Sequence, residues 1–194
     1  MQRVNNKMSS SSESDFLVRA FRSITDSRIS VRDFTNRRVS SETIEDAMSI
    51  AHHAPSAGNL HASRGWIVRD ASVRAAIGRA ANQDFVGKAP IIIVAAADAL
   101  ISAQKYGQRG STLYSIQDAT IWLSHLQLAL TAFGLSSCWV GAFDEIAVAK
   151  SIASSSRVRP VALLVVGYGD SVAVTLARRQ RAHASPPSIH IEEI

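Results

Sequence analysis

The sequence is poor in cysteine and has no long apolar run. Its single cysteine, Cys138, excludes a disulfide within the chain, which is typical of proteins from reducing compartments. The apolar run 89–97 is far shorter than a membrane span, and its β-branched residues, bounded by Pro90 and Asp98, indicate a buried strand. The N-terminal segment "MQRVNNKMSSSSES" lacks the apolar core of a signal peptide. We therefore expect a cytoplasmic protein without a membrane partner.

Lysine is also scarce. The 194 residues contain four lysines against seventeen arginines, and the net charge at pH 7 is +5. A basic chain can bind nucleic acid, but these arginines are scattered, with no lysine tract and no aromatic residues between them. We expect no nucleic-acid partner, and a basic nucleic-acid-binding module remains a remote alternative. Arginine also suits the bidentate binding of one or two phosphate groups.

Several familiar motifs are absent. The sequence has no Walker loop and no serine nucleophile elbow. The stretch "GYGDSV" at 167–172 begins like a dinucleotide-binding motif, but Val172 replaces the third glycine and too few residues follow for a βαβ unit. None of the six histidines has metal-ligand spacing, since adjacent His52 and His53 would point in different directions. We expect no bound metal, and neither a hydrolase nor a metalloenzyme.

The apolar pattern predicts one α+β domain. Residues 1–13 are interpreted as a flexible polar tail and residues 14–194 as a single domain. Helical spacing predicts an amphipathic helix over 15–24 and a second helix after an N-cap at Ser40, and the apolar runs predict four or five core strands. The segment 113–134 has no lysine, arginine or glutamate, which predicts a long helix buried all round, in the core or in a subunit interface. Beyond residue 170 we expect an irregular chain with a final extended segment at 188–194.

Two short stretches in the first third contain candidate ligand-binding residues. In "SRISVRDF" (27–34), an extended chain would project Arg28, Ser30 and Arg32 from one face. Two guanidinium groups beside a hydroxyl favour an anion between them, whereas the alternative interpretation is an ordinary basic edge strand. In "APSAGNL" (54–60), small residues allow the backbone to approach a flat ligand, although the same residues also form ordinary turns.

Two further stretches lie nearer the C-terminus. In "GLSSCWVGAF" (134–143), Gly141 interrupts an apolar strand, as happens where a ligand or another backbone approaches closely. Cys138 is interpreted there as a small core residue rather than a reactive thiol. The sequence "ARRQR" provides Arg178, Arg179 and Arg181, which either meet the first basic group or belong to a solvated tail.

Taken in order, these stretches resemble the nitroreductase family of FMN-dependent oxidoreductases over residues 16–169. The resemblance depends on "SRISVRDF", "APSAGNL", "YGQRGSTLYSIQDA", "GLSSCWVGAFDE" and "RPVALLVVGYG". The forms "SAGNLH" and "CWVGAFDE" are similar to a short branch that includes azoline dehydrogenases. The resemblance implies a three-layer α-β-α sandwich with a mostly antiparallel sheet and a long central helix at the interface of a homodimer. It also implies two FMN sites, each built from both subunits, and C-termini that reach across to the partner.

The resemblance assigns roles to eleven residues. The family's phosphate-binding strand is matched by Arg28, Ser30 and Arg32, and its second phosphate contact resembles Arg179 and Arg181. A loop that the partner subunit lays against the isoalloxazine ring is matched by Pro55, Ser56 and Asn59. The segment passing the flavin N5 is matched by Trp139, Val140 and Gly141. In addition to these eleven, Tyr106, Arg109 and Tyr114 lie on the segment before the predicted buried helix, and we expect them to line the entrance.

Three positions depart from the family pattern. Where the family often continues Asn-x-Gln-Pro after this loop, the chain has His61 and Ala62, and Ser63 replaces a frequent aromatic residue. His61 would change the group that faces the pyrimidine edge of the flavin, and histidine titrates near neutral pH. These departures bear on the substrate more than on the flavin.

The implied function is a ping-pong oxidoreductase. NADH or NADPH would deliver hydride to flavin N5, and a nitro, quinone or related acceptor would then take electrons from the same face. No protein residue is expected to be catalytic, because the flavin carries the chemistry. The alternative is a flavin-dependent dehydrogenase or oxidase of a peptide-derived substrate, such as a cyclodipeptide or an azoline.

Overall fold

A four-stranded antiparallel sheet lies at the centre of the molecule. The structure, a computed structural model, describes residues 10–182. Its strands are β1 (Ser63–Val68), β2 (Ile91–Asp98), β3 (Ser136–Val140) and β4 (Val158–Gly167), and their order in the sheet is β1-β2-β4-β3. All three neighbouring pairs are antiparallel. β1 and β3 are therefore the two edge strands of the described sheet.

Helices make up most of the remaining described chain. They are α1 (Ser10–Ser27), α2 (Ser41–Ala51), α3 (Ala71–Ala80), α4 (Asp84–Lys88), α5 (Ala99–Arg109), α6 (Ser115–Ala132), α7 (Glu145–Ser151) and α8 (Ser171–Ala182). A 3₁₀ turn spans Ala57–Asn59, and a π-helical turn spans Gly110–Tyr114 between α5 and α6. None of the helices within residues 10–182 is long and apolar enough to cross a membrane.

The helices pack on both faces of the sheet. Because side chains alternate along a strand, β2 contributes Ile91 and Ile93 to one core with α2 and α6. It contributes Ile92 and Val94 to a second core with α3, α4 and α7. All eight residues of β2 are buried. The predicted three-layer α-β-α sandwich with an antiparallel sheet is confirmed.

The predicted long helix is confirmed as α6, but its burial is one-sided within a single chain. Ala119, Leu123, Leu126 and Leu130 are buried, whereas Ser124 and His125 are exposed. The helix ends at Ala132, and Gly134, two residues later, has the left-handed φ of +76° that favours glycine after a helix. Burial on all faces is therefore not achieved by the described residues of one chain.

The first helix differs from its prediction in two respects. It begins at Ser10, inside the stretch 1–13 that was expected to be a tail, while residues 1–9 lie outside the described part. Its apolar face is not buried within the described chain: Phe16, Leu17, Val18 and Phe21 are each 58–59% exposed. The amphipathic pattern thus marks a helix correctly but does not say what covers it.

The prediction of an irregular chain beyond residue 170 is wrong for residues 171–182, which form α8. The Asp170 Oδ1 accepts hydrogen bonds from the N–H groups of Val172 and Ala173 at 2.9 and 3.3 Å, so this carboxylate caps the helix. None of the residues of α8 is buried. The sequence of α8 consequently has only a weak apolar pattern, although its capping residue, Asp170, can be recognised from the sequence. The predicted extended segment 188–194 lies outside the described residues.

Candidate functional site

The chain between α1 and α2 runs beside edge strand β3. The Val31 N–H donates to the carbonyl oxygen of Ser137 at 3.0 Å, and Ser30 forms a β-bridge with Ser137. Ile29 and Val31 are buried, whereas Arg28 and Ser30 are half-buried and Arg32 is exposed. The alternation expected from the sequence is therefore present, although it is supported by isolated bridges rather than by a continuous strand.

Arg181 reaches the same segment from α8. Its Nη1 donates to the carbonyl oxygens of Thr25, Asp26 and Arg28 at 2.9, 3.0 and 2.7 Å. These carbonyls lie at the end of α1, where helix geometry leaves them without partners and an arginine can satisfy them. The Nε and Nη2 groups of Arg181 donate to no other described residue.

The three guanidinium groups of Arg28, Arg32 and Arg181, together with the Ser30 hydroxyl, are named here the arginine cluster. Burial, followed by the positive charge of Arg181, lowers the pKa of Arg28. Among residues 10–182, none of the three arginines forms an ion pair with an acidic side chain. The Arg32 guanidinium lies 5.6 Å from the centre of the Phe85 ring. Like charges such as those of Arg28 and Arg181 are unfavourable side by side unless an anion lies near them. The cluster therefore has the chemistry of a phosphate site.

Cys138 lies under the arginine cluster on β3. Its side chain is buried in the core formed with α3, α4 and α7. Burial raises the pKa of the thiol. The positive charges of Arg32 and Arg28 and a hydrogen bond with Ser30 lower this pKa, but by less. The thiol is therefore protonated at neutral pH. The interpretation of Cys138 as a core residue is confirmed.

Strand β3 leads from this cluster to Gly141. Trp139 packs against the core with α2 and α6, and Val140 is buried on the opposite face. Gly141 is exposed, its φ is not left-handed, and a Cβ at this position would meet no atom within 4 Å. Nothing in the described chain therefore requires glycine at 141.

The loop 55–61, named here the APSAGNL loop after the sequence that contains most of it, has three residues with a left-handed φ. Gly58, Asn59 and His61 have φ values of +57°, +59° and +48°. For residues with a side chain this conformation costs about 1–2 kcal/mol each, although asparagine and histidine tolerate it better than most. The His61 N–H donates to Ser56 Oγ at 3.1 Å, and His61 Nε2 lies 3.1 Å from Asn59 Oδ1. These internal hydrogen bonds hold the loop in its shape.

The end of α5 packs against this loop at Gly58. A Cβ on Gly58 would collide with the Tyr106 hydroxyl and lie 2.7 Å from Lys105 Nζ. The rings of Tyr106 and Tyr114 pack edge to face with their centroids 5.2 Å apart. The Tyr114 hydroxyl accepts a hydrogen bond from Arg109 Nε at 2.9 Å. The three residues expected at the entrance thus form one group beside the loop. Lys105 joins them and was not expected from the sequence.

Asp118 holds the loop from the side of α6. Its Oδ1 accepts the Ala57 N–H at 2.8 Å and its Oδ2 accepts the Ala62 N–H at 3.4 Å, and the residue is only 3% exposed. Behind the loop lies a cavity of about 260 Å³, lined in part by Asp118, Ser56 and Trp122. Asp118 is not among the site residues expected from the sequence. The readable indication was a single acidic residue within a helix that has no other charged side chain.

The structure does not bring all the predicted site residues together in one chain. Arg28, Ser30 and Arg32 adjoin edge strand β3, whereas Pro55 to Asn59 precede β1 at the other edge. Three strand spacings, about 14 Å in all, separate the two edges. The arginine cluster and the APSAGNL loop of one chain therefore belong to two separate places.

The two arginines chosen near the C-terminus are also separated. Because α8 is a helix, Arg179 and Arg181 lie about 200° apart around its axis, so only Arg181 faces the end of α1. Arg178 lies on the α1 side and lines a groove with Ser27. The choice of Arg179 for its one-residue gap from Arg181 depended on an irregular chain. The helix removes that reason.

Known proteins share sequence and fold with this chain. Among curated proteins, an Archaeoglobus fulgidus protein named "Putative NADH dehydrogenase/NAD(P)H nitroreductase" is 29% identical over 119 residues, which are 61% of this chain and 65% of that relative. The match thus spans slightly less than two thirds of the relative.

Solved structures of nitroreductase family proteins share the fold. One from Streptococcus pneumoniae TIGR4 has a TM-score of 0.72 and 22% identity and covers 89% of this chain and 96% of its own. An FMN-dependent nitroreductase from Clostridium difficile R20291 has a TM-score of 0.64 and 22% identity, with 76% and 87% covered. The model of the Nitroreductase family matches residues 25–83 and 77–168 of the sequence. The chain belongs to the nitroreductase family.

Proposed function

We propose that this protein is an FMN-dependent oxidoreductase that transfers hydride from NADH or NADPH to a nitro, quinone or related acceptor. The observation that carries the proposal is the arginine cluster, in which Arg28 and Arg181 interact as like charges and Arg28, Arg32 and Ser30 all lie near Cys138. None of its three arginines has an acidic partner among residues 10–182. A phosphate monoester supplies the missing negative charge. The printed names of two relatives, an NAD(P)H nitroreductase and an FMN-dependent nitroreductase, agree with this choice.

The residues of the chain fit the two ends of FMN. Arg28, Arg32 and Arg181 would neutralise the phosphate, and Ser30 would donate a hydrogen bond to it. The Trp139–Gly141 segment of the same chain would pass the ring, because Gly141 leaves its backbone open to close approach. Bound FMN would supply the acceptance and release of hydride. The protein's own part is to bind the cofactor, orient it and exclude water from it.

A second copy of the chain would complete the site. Pro55, Ser56 and Asn59 cannot reach the arginine cluster of their own chain, because the loop and the cluster lie at opposite edges of the sheet. We propose that the loop covers the ring bound to the partner subunit in a homodimer. The exposed apolar face of α1, with Phe16 and Phe21 each more than half exposed, supports an interface. Sedimentation equilibrium tests this, and a monomer at micromolar concentration would contradict it.

The enzyme assignment is tested on the purified full chain. We expect a yellow protein that releases FMN on denaturation and loses its visible absorption when NADH or NADPH is added without oxygen. A colourless protein that FMN cannot reconstitute would contradict the proposal, and nucleic-acid binding by that protein would favour the basic binding module instead. A yellow protein that neither nicotinamide reduces, but that a cyclodipeptide or an azoline peptide reduces, would favour the dehydrogenase or oxidase alternative.

A further inference from the structure

We propose that Asp118 is a positioning residue that sets where the APSAGNL loop lies against the flavin, an inference that rests on the proposed function. The Asp118 carboxylate accepts hydrogen bonds from the N–H groups of Ala57 and Ala62, which flank residues 58–61. Three of those four residues have a left-handed φ. One carboxylate therefore holds both ends of the segment that would face the cofactor. α6, which carries Asp118, packs in the core against β2 and β4.

A carboxylate is the group that this position requires. Both oxygens of Asp118 act as acceptors, and both partners are backbone donors. The cation that lines the same cavity, Arg64, pairs instead with Asp98 at 3.3 Å. No ion pair to Asp118 is present among residues 10–182. The buried charge is therefore stabilised by the loop backbone itself, and an asparagine would direct an N–H₂ donor at one of two N–H groups.

The internal bonds of the loop cannot replace this attachment. The hydrogen bond from the His61 N–H to Ser56 Oγ and the contact between His61 and Asn59 lie within the loop, so they determine its shape but not its place on the sheet. Left-handed residues with side chains persist only where the surroundings hold them. Besides Asp118, the side chains of Lys105 and Tyr106 lie beside Gly58, and the His52 ring stacks on the His61 ring with centroids 5.3 Å apart. Asp118 alone among the described side chains outside the loop makes hydrogen bonds to the backbone at both of its ends.

The first test is Asp118→Asn with hydrogen exchange of the intact apoprotein, followed by peptide mass spectrometry. We expect the amides of residues 57–62 to exchange about tenfold faster or more, because a charge-assisted hydrogen bond is lost. The matched control is Asp144→Asn, since Asp144 also accepts two backbone N–H groups, from Ile146 and Ala147 at 2.9 and 3.0 Å, but caps α7. Asparagine is an equally good cap, so this control should leave the loop unchanged.

A second variant removes the donor instead of the acceptor. Ala57→Pro deletes the N–H that Asp118 accepts, and it suits the backbone because Ala57 is the first residue of the 3₁₀ turn and Ser56 before it is extended, with ψ of 156°. We expect Ala57→Pro to loosen the rest of the loop as Asp118→Asn does, and the double variant to add less than the sum of the two. If Asp118→Asn does not fold, Ala57→Pro alone decides the question.

The flavin readout separates this inference from the proposed function. In the FMN-loaded protein, Asp118→Asn should shift the visible flavin spectrum and the midpoint potential while FMN still binds, and Asp144→Asn should change neither. If the wild-type protein binds no FMN, the proposed function fails, and the exchange of the apoprotein still reports whether Asp118 holds the loop. If the wild-type protein binds FMN, and Asp118→Asn or Ala57→Pro leaves loop exchange, spectrum and potential unchanged, the inference about Asp118 is overturned.

Discussion

Replacing Arg28 with methionine separates the effect of its charge on the stability of the apoprotein from its effect on FMN binding. Methionine keeps an unbranched side chain of similar reach but removes the guanidinium group. The backbone carbonyl of Arg28 still accepts the hydrogen bond from Arg181 Nη1, so the attachment of α8 to α1 remains. The substitution therefore tests the charge of Arg28 without detaching Arg181.

The expected effects on the free protein and on FMN binding have opposite signs. Burial and Arg181 lower the pKa of Arg28, which means that the folded apoprotein disfavours its charge; Arg28→Met should therefore leave the apoprotein equally or more stable. With FMN bound, the same substitution loses a charge-assisted contact of about 1.5–3 kcal/mol. This corresponds to an FMN affinity that is about 10- to 150-fold weaker. Arg181→Met should instead destabilise the apoprotein, because it also uncaps three carbonyls of α1.

The assay is quenching of FMN fluorescence on titration, paired with urea unfolding of the apoprotein. The matched control is Arg157→Met, which makes the same change in net charge at an exposed residue before β4. If Arg28→Met and Arg32→Met bind FMN as tightly as Arg157→Met, the arginine cluster is not the phosphate site. If Arg28→Met destabilises the apoprotein as Arg181→Met does, the argument from charge repulsion is wrong.

Three further outcomes follow from contacts outside the arginine cluster. Gly58→Ala should cost about 1–2 kcal/mol in urea unfolding, from its left-handed φ; wild-type stability would contradict this. Arg159→Met should cost up to about 1 kcal/mol at pH 7 by losing its paired hydrogen bonds to Glu145. Because Arg159 lowers the pKa of Glu145, this difference should vanish as pH falls through that lowered pKa, and a difference that persists in acid would count against the pair. Cys138 should be alkylated at neutral pH far more slowly than an exposed cysteine, as followed by mass spectrometry, and equal rates would refute its burial.

Elements with strong local patterns could be predicted from the sequence. The hydroxyl of Ser40 accepts the Thr43 N–H at 3.0 Å, as expected of an N-cap, and α2 starts at the next residue. The unbroken apolar run of β2 corresponds to a strand buried on both faces. In both cases the information lies within a few neighbouring residues, so no knowledge of the rest of the chain is needed.

The predictions from the sequence are wrong or incomplete where the apolar pattern of a segment does not match its burial in the described chain. α8 has no buried residue, so its apolar pattern is weak, and the helix depends on the Asp170 cap and on Arg181 at the end of α1. α1 shows the opposite case, because its apolar face is strong but remains exposed in the described chain. A periodic apolar face predicts that a helix needs a partner surface, and it does not predict whether the same chain provides that surface.

The candidate site shows the same limit at the level of single residues. The alternation of Arg28, Ser30 and Arg32 is readable because period two is local. The role of Asp118 is not readable, because its partners Ala57 and Ala62 are 61 and 56 residues away and are backbone groups of no distinctive type. The isolated acidic residue in α6 can be recognised in the sequence, but nothing in the sequence identifies the backbone groups that it binds. These groups are found only when the fold places the two segments together.

Mixed dimers test whether one site takes its parts from two chains. A subunit with Arg28→Met and Arg32→Met lacks the arginine cluster, and a subunit with Gly58→Val has a distorted loop, because valine is strained at a left-handed φ and collides with Tyr106. Each variant alone has two damaged sites. In a heterodimer isolated with two different tags, the intact cluster of one subunit meets the intact loop of the other, so about half of the wild-type activity should return. The control heterodimer pairs the Arg28→Met/Arg32→Met subunit with an Arg181→Met subunit, which leaves a damaged cluster in both sites and should restore nothing. Equal activity of the two heterodimers would show that cluster and loop do not serve a shared site.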